Sequence, residues 1–117
     1  MQIEVKGRNC PVTEDTKERI ERRFDKVAKQ VSDLARLEVE LFEERNPSIA
    51  DAHVAEVTLH LKGVTLRAKE ATRDMDHSIN LVSEEMARQV KRHRVKRRKR
   101  RESRAAATPE SGIQPAL

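Results

Sequence analysis

The sequence predicts an α+β domain of order β-α-β-β-β-α, a four-stranded sheet with two helices on one face. Three observations carry this. Four segments alternate apolar and polar residues with a period of two. Two others repeat apolar residues every three or four positions, the period of an amphipathic helix. The chain has 117 residues, enough for one such core and not two. Aromatic residues are 2% of it, with no Trp or Tyr, so the core is aliphatic.

The first strand, residues 2–8, sets Ile3 and Val5 against Gln2, Glu4 and Lys6, and Gly7 ends it. Pro11 keeps its predecessor extended, making Cys10-Pro11-Val12 a connector. Thr13 reads as an N-cap, with Glu14 and Asp15 well placed in the first turn. The spacing predicts a helix over 14–31 that buries Ile20, Phe24, Val27 and Val31. On a wheel of ~100° per residue, Arg19, Arg22, Arg23 and Lys26 share one flank of it and Glu18, Glu21 and Asp25 the other.

Three strands follow. Residues 36–44 bury Leu37, Val39 and Leu41, residues 53–62 bury Ala55, Val57, Leu59 and Leu61, and residues 64–71 bury Val64, Leu66 and Ala68. Asn46-Pro47-Ser48 and Gly63 make the turns between them. Clean alternation in all three means that one sheet face is covered and one is wet. The second helix starts at Asp74 as N-cap. Met75, Ile79, Val82, Met86 and Val90 form its stripe, which His93 continues. Arg97 and Arg101 then fall on or near what had been the apolar side. A helix running to about residue 101 is ~40 Å long, against ~26 Å for an eight-residue strand, so its end overhangs the sheet. From Ser103 the composition turns to small residues with two prolines. The predicted division is a folded domain over 1–102 and a linker or disordered tail over 103–117.

Charge is unevenly placed. Residues 1–90 hold 15 Lys and Arg against 18 Asp and Glu, whereas residues 91–104 hold 10 basic residues and one acidic, Glu102. The excess positive charge therefore sits in one short run, which points to a polyanionic partner. Within that run Arg92/Lys96, Lys96/Arg100, Arg94/Arg98 and Arg97/Arg101 are like charges four apart, each unfavourable by a few tenths of a kcal/mol. A solvated helix end has no use for such density, whereas RNA phosphates do. Taken alone, KRHRVKRRKRR also fits a nuclear-localisation signal, but nothing else in the chain supports one.

Other chemistries lack residues. His53 and His60 are seven apart on one strand and point to opposite faces, His77 and His93 are sixteen apart, and no pair has metal-ligand spacing. Cys10 has no neighbouring base and reads as an idle thiol. Glu38, Glu40, Glu43 and Glu44 read as solvated residues of an open sheet face. No glycine-rich phosphate loop exists among three glycines. The expectation is a protein that is no enzyme, takes no metal, cofactor or small-molecule substrate, and crosses no membrane. A single cysteine and the lack of a signal-like apolar run predict a cytoplasmic location.

Too few aromatics remain for a base-stacking sheet. The order helix–strand–strand–strand–helix, with basic flanks on both helices (Arg19, Arg22, Arg23, Lys26; Arg88, Arg92, Lys96, Lys99), resembles a double-stranded-RNA-binding domain, which reads A-form shape and phosphates.

A more specific resemblance covers about residues 1–100. It rests on MQIEVKGRNCPVTEDTKERIERRFDKV, on VTLHLKGVTLRAKE, and above all on RDMDHSINLVSEEMARQVKRHRVK. These are similar to the bacterial ribosome hibernation promoting factors, also called ribosome-associated inhibitors or protein Y. The last resembles that family's Asp-Met-Tyr-Ala-Ala-Ile-Asp followed by a Leu-x-Arg-Gln-Leu-x-Lys-His-Lys helix. The resemblance implies a domain that binds the small ribosomal subunit and its 16S rRNA, in free subunits or the 70S ribosome. It would lie in the mRNA and tRNA channel, blocking translation and preserving idle ribosomes under stress or in stationary phase. The family's RNA contacts fall here on Arg22, Arg23, Lys26, Arg88, Lys91, Arg92 and Lys96, with His93 at the family's histidine; Lys99 joins them from the basic flank. Asp76 and His77 stand where Tyr-Ala is usual, and Asn80 where Asp is. The chain stops inside what resembles the linker to a second domain, so it is either a short-type member or the N-terminal part of a longer one. The competing reading is a free-standing double-stranded-RNA binder or RNA chaperone acting off the ribosome.

Overall fold

The computed structural model describes the backbone of residues 1–110 and the side chains of residues 1–103. Its elements are β1 (Gln2–Arg8), α1 (Glu14–Arg23), α2 (Asp25–Ala28), β2 (Arg36–Glu43), β3 (His53–Leu61), β4 (Val64–Thr72) and α3 (Met75–Glu110). The strands form one sheet in the order β1-β2-β3-β4. Their bounds lie within a residue of those the alternation predicts.

Connection length sets strand direction. A helical crossover joins β1 to β2, which pair in parallel with Val5 opposite Val39. Short turns join the others, which pair antiparallel, with Val57 between Val39 and Ala68. At the β3–β4 turn Gly63 takes φ +79°, open to glycine at no steric cost. Gly7 is required for a different reason. A Cβ there would overlap the Cys10 carbonyl oxygen, because the chain folds back tightly through Asn9 at φ 57°.

The helices cover one sheet face. Leu37, Val39, Leu41, Ala55, Val57 and Leu59 are buried beneath Ile20, Phe24 and Val27 from the first helical segment and Ile79, Val82, Met86 and Val90 from the second. Thr13 caps α1, its hydroxyl accepting from the Thr16 amide at 3.2 Å. Asp74 caps α3, accepting from the His77 amide at 3.3 Å. Ser78 is fully buried and donates to the His53 carbonyl at 2.6 Å, tying the start of α3 to the sheet.

Two features differ from the predicted pattern. The helix expected over 14–31 breaks at Phe24 (φ −95°, ψ 9°) and ends at Ala28. On either side of the break Phe24 and Val27 are both in the core (0% and 1% exposed), as the spacing predicts, while Val31 packs at its edge in the turn. That turn is stabilised locally, by Ser32 Oγ accepting from the Leu34 amide at 3.1 Å. Second, α3 runs to Glu110 instead of about residue 101. Residues 102–107 are rich in Arg, Glu and Ala, the strongest helix formers, and propensity extends the helix where periodicity had ended. The rest of the predicted tail, 111–117, lies outside the described residues. With 36 residues α3 spans ~54 Å, and the molecule measures 71 × 29 × 18 Å. Every side chain from Lys96 to Ser103 is exposed.

Candidate nucleic-acid interface

The sequence-predicted cations do not form one patch; the fold sorts them into three groups. Arg22, Arg23 and Lys26 form one wall of a groove whose other wall, from α3, holds Asn80, Ser83, Glu84, Ala87 and Arg88. Further along α3, Lys91 belongs to a second concavity with Arg94, Arg97, Arg98 and Arg101 beside Gln30. Arg92, Lys96 and Lys99 occupy the opposite flank of α3, given its ~100° per residue. His93 is half-buried, in line with Met86 and Val90.

Ion pairing sorts them further. Arg19 donates both to Asp76 Oδ1 at 2.9 Å and to Oδ2 at 2.8 Å, bridging α1 and α3. One turn on, Arg23 donates to Asn80 Oδ1 at 3.2 Å. The two rungs use residues four apart on each helix. Asp76 and Asn80 thus bridge α3 to α1 at the surface. Arg19 is neutralised by its carboxylate, whereas Arg23 is only oriented by a neutral amide and keeps its full charge. Among the described residues neither Arg22 nor Lys26 has a carboxylate within ion-pair distance, although Arg22 also borders Glu18, Glu21 and Asp25.

Glu85 organises the other flank. Arg88 Nε donates to its Oε1 at 3.0 Å, Gln89 donates to its Oε2 at 3.4 Å, and Arg92 lies 3.5 Å away. The hydrogen bonds from Arg88 and Gln89, helped by the charges of Arg88 and Arg92, hold its carboxyl below the usual glutamate range. Gln89 also donates to the Arg67 carbonyl at 2.7 Å, anchoring this face of α3 to β4.

Arg94, Arg98 and Arg101 entered the sequence reading only as part of the basic run, and the organising roles of Asp76, Asn80 and Glu85 were not singled out by it. The signal was present as complementary pairs, Arg19/Arg23 and Asp76/Asn80, each four apart. Using it requires knowing which helix faces meet.

The rest of the surface offers little chemistry. On the open sheet face, Glu40 and Glu38 are paired with Arg8 and Arg36, each at 3.6 Å. His60 Nε2 lies 3.4 Å from Glu38 Oε1 but off the hydrogen-bond direction. Burial, and secondarily Glu43, pushes the Cys10 thiol above its ordinary pKa, which disfavours the thiolate. Among the described residues no three His, Cys, Asp or Glu side chains gather as a metal site would need, and no helix is long and apolar enough to cross a membrane.

Known proteins match this arrangement along most of the chain. A ribosome hibernation promotion factor of Picosynechococcus sp. is 34% identical over 97 residues, covering 82% of this chain and 50% of that protein. One of Lactococcus lactis is 28% identical over 100 residues, covering 82% and 51%. The chain thus spans about half the length of these two relatives. It covers 88% of the ribosome hibernation promoting factor of Acinetobacter guillouiae, at 27% identity over 99 residues. Among solved structures, the N-terminal domain of Thermus thermophilus Protein Y superposes with a TM-score of 0.69 at 22% identity, covering 80% of this chain and 99% of that one. A ribosomal subunit interface protein from Coxiella burnetii gives 0.68 at 14%, covering 81% and 99%. At those identities the likeness is one of fold. Residues 3–98 match the family described as Sigma 54 modulation protein / S30EA ribosomal protein, and the chain belongs to that family.

Proposed function

We propose that this protein is a ribosome hibernation factor of the cytoplasm. It binds the small subunit through 16S rRNA, occupies the channel for mRNA and tRNA, and so silences translation and preserves idle ribosomes under stress or in stationary phase. The observation that carries the reading is the groove between α1 and α3, with Arg22, Arg23 and Lys26 on one wall and Arg88, which also holds Glu85, on the other. Its setting adds support, because relatives similar over four-fifths of the chain bear the hibernation name. Guanidinium and ammonium groups on two walls meet phosphates by charge and shape without reading bases. Lys91, Arg92, His93, Lys96 and Lys99 extend the contact along α3. Residues 1–102 act as the ribosome-binding domain. Inhibition is steric, so no bond is made or broken.

Sedimentation tests this directly. The protein should co-migrate with 30S and 70S particles, be displaced by tRNA and mRNA, and inhibit a translation extract. Equal affinity for any RNA duplex with no inhibition would replace it with an off-ribosome RNA binder.

A further inference from the structure

We infer that the overhanging part of α3 is a two-sided RNA-binding element, inserted between two phosphate backbones that approach it from opposite sides. This rests on the ribosomal reading and concerns a segment that runs past the end of the family match at residue 98. Beyond Val95 the described helix stands in solvent: residues 96–103 are all exposed. Their charge has no polar and apolar side. At ~100° per residue, Arg94, Arg98 and Arg101 share the flank beside Gln30. Arg92, Lys96 and Lys99 share a flank about 160° away, and Arg97 and Arg100 continue the line of Met86 and Val90 past the sheet. Glu102 is the one carboxylate in 91–103.

A helix that lies on one RNA surface needs cations on one side only. Those on the far side would then repel one another at i,i+4 with no phosphate in return. Cations on every side are all used when phosphates surround the helix. With side chains it is ~10–12 Å across, and 13 residues extend ~20 Å. Because the regular A-form major groove is deep and narrow, the fitting partner is a widened groove or a junction between two RNA segments. A membrane surface fits poorly, since residues 96–103 contain no apolar side chain to bury.

The test uses the full chain and two triple variants, Arg94→Gln/Arg98→Gln/Arg101→Gln and Arg92→Gln/Lys96→Gln/Lys99→Gln. Gln keeps the helix propensity, and neither triple touches the core. Binding to purified small subunits is measured against KCl concentration, with a phosphatidylserine vesicle control. The first triple should lower the log–log salt slope by about 2–3 and the second by at least about 1.4, since Arg92 is shared with Glu85 at 3.5 Å. Iron–EDTA tethered at Lys96→Cys or Arg98→Cys, in a Cys10→Ser background, should cleave two separate rRNA segments. If one triple carries the whole loss, or both tethers cut the same segment, the helix lies on a single surface and the inference fails. If neither triple changes the slope while the protein still co-sediments, or binding goes only to vesicles, the overhang is no RNA element, and in the first case the ribosomal reading survives. If the unaltered protein ignores subunits yet binds a protein-free RNA junction with both triples effective, the hibernation reading falls and the two-sided element stands.

Discussion

Replacing Arg22 and Lys26 by Gln, with Arg19→Gln as the companion variant, separates cations that serve RNA from those that serve the fold. All three lie on one flank of the first helical segment, and a charge count treats them alike. The structure does not. Arg19 is held by both oxygens of Asp76, at 2.9 and 2.8 Å, while Arg22 and Lys26 line the groove and, among the described residues, form no ion pair. Each phosphate contact contributes about 0.7–0.9 to the log–log salt slope. Losing two should flatten it by about 1.4–1.8 and weaken binding about 25- to 60-fold at 0.1 M salt. Arg19→Gln should leave the slope unchanged. Its side chain and that of Asp76 are about half exposed (45% and 53%), so the ion pair is worth under ~1 kcal/mol of stability. Fluorescence anisotropy of labelled protein against purified small subunits, across a KCl series, reads both quantities. If Arg19→Gln flattens the slope by as much as one phosphate contact, about 0.7–0.9, or the double variant leaves it intact, the groove is not the phosphate site.

Two further outcomes test the fold beneath the site. Phe24 is fully buried at the helix break, and Phe24→Ala should cost ~3–5 kcal/mol through the cavity it leaves; a urea midpoint equal to that of the unaltered protein would show that the break does not seat it in the core. Because Glu85 has a lowered folded-state pKa, its stabilisation is fully present above the ordinary glutamate value of ~4.3 and is lost as pH falls through the folded value. The stability difference between the protein and Glu85→Gln should therefore be constant from pH 7 down to that range and shrink below it; a difference that stays constant to pH 3 would refute the pairing with Arg88.

Much of the architecture was legible because it follows from local rules. Alternation of period two assigned Leu37, Val39, Leu41, Ala55, Val57 and Leu59 to the covered face, and the register buries all six. The stripe Ile79, Val82, Met86, Val90 behaves likewise. Break points were harder. Phe24 keeps the apolar spacing of a continuous helix, so periodicity carries no sign of the break there. The end of α3 was misplaced because hydrophobic periodicity stops at Val90, whereas helix propensity continues through the alanines.

The sequence by itself determined the sheet's wet and covered faces, the two helices, and the concentration of cations between Lys91 and Arg104. Each is a property of neighbours along the chain, where spacing and like-charge density are read directly. Only the tertiary structure decided which cations are free. Arg19 meets Asp76 and Arg23 meets Asn80 across 57 residues of chain, a meeting set by how both helices seat on the same sheet. The same packing ends at Val95, and that is what turns a basic run into an overhanging helix with charge on every side.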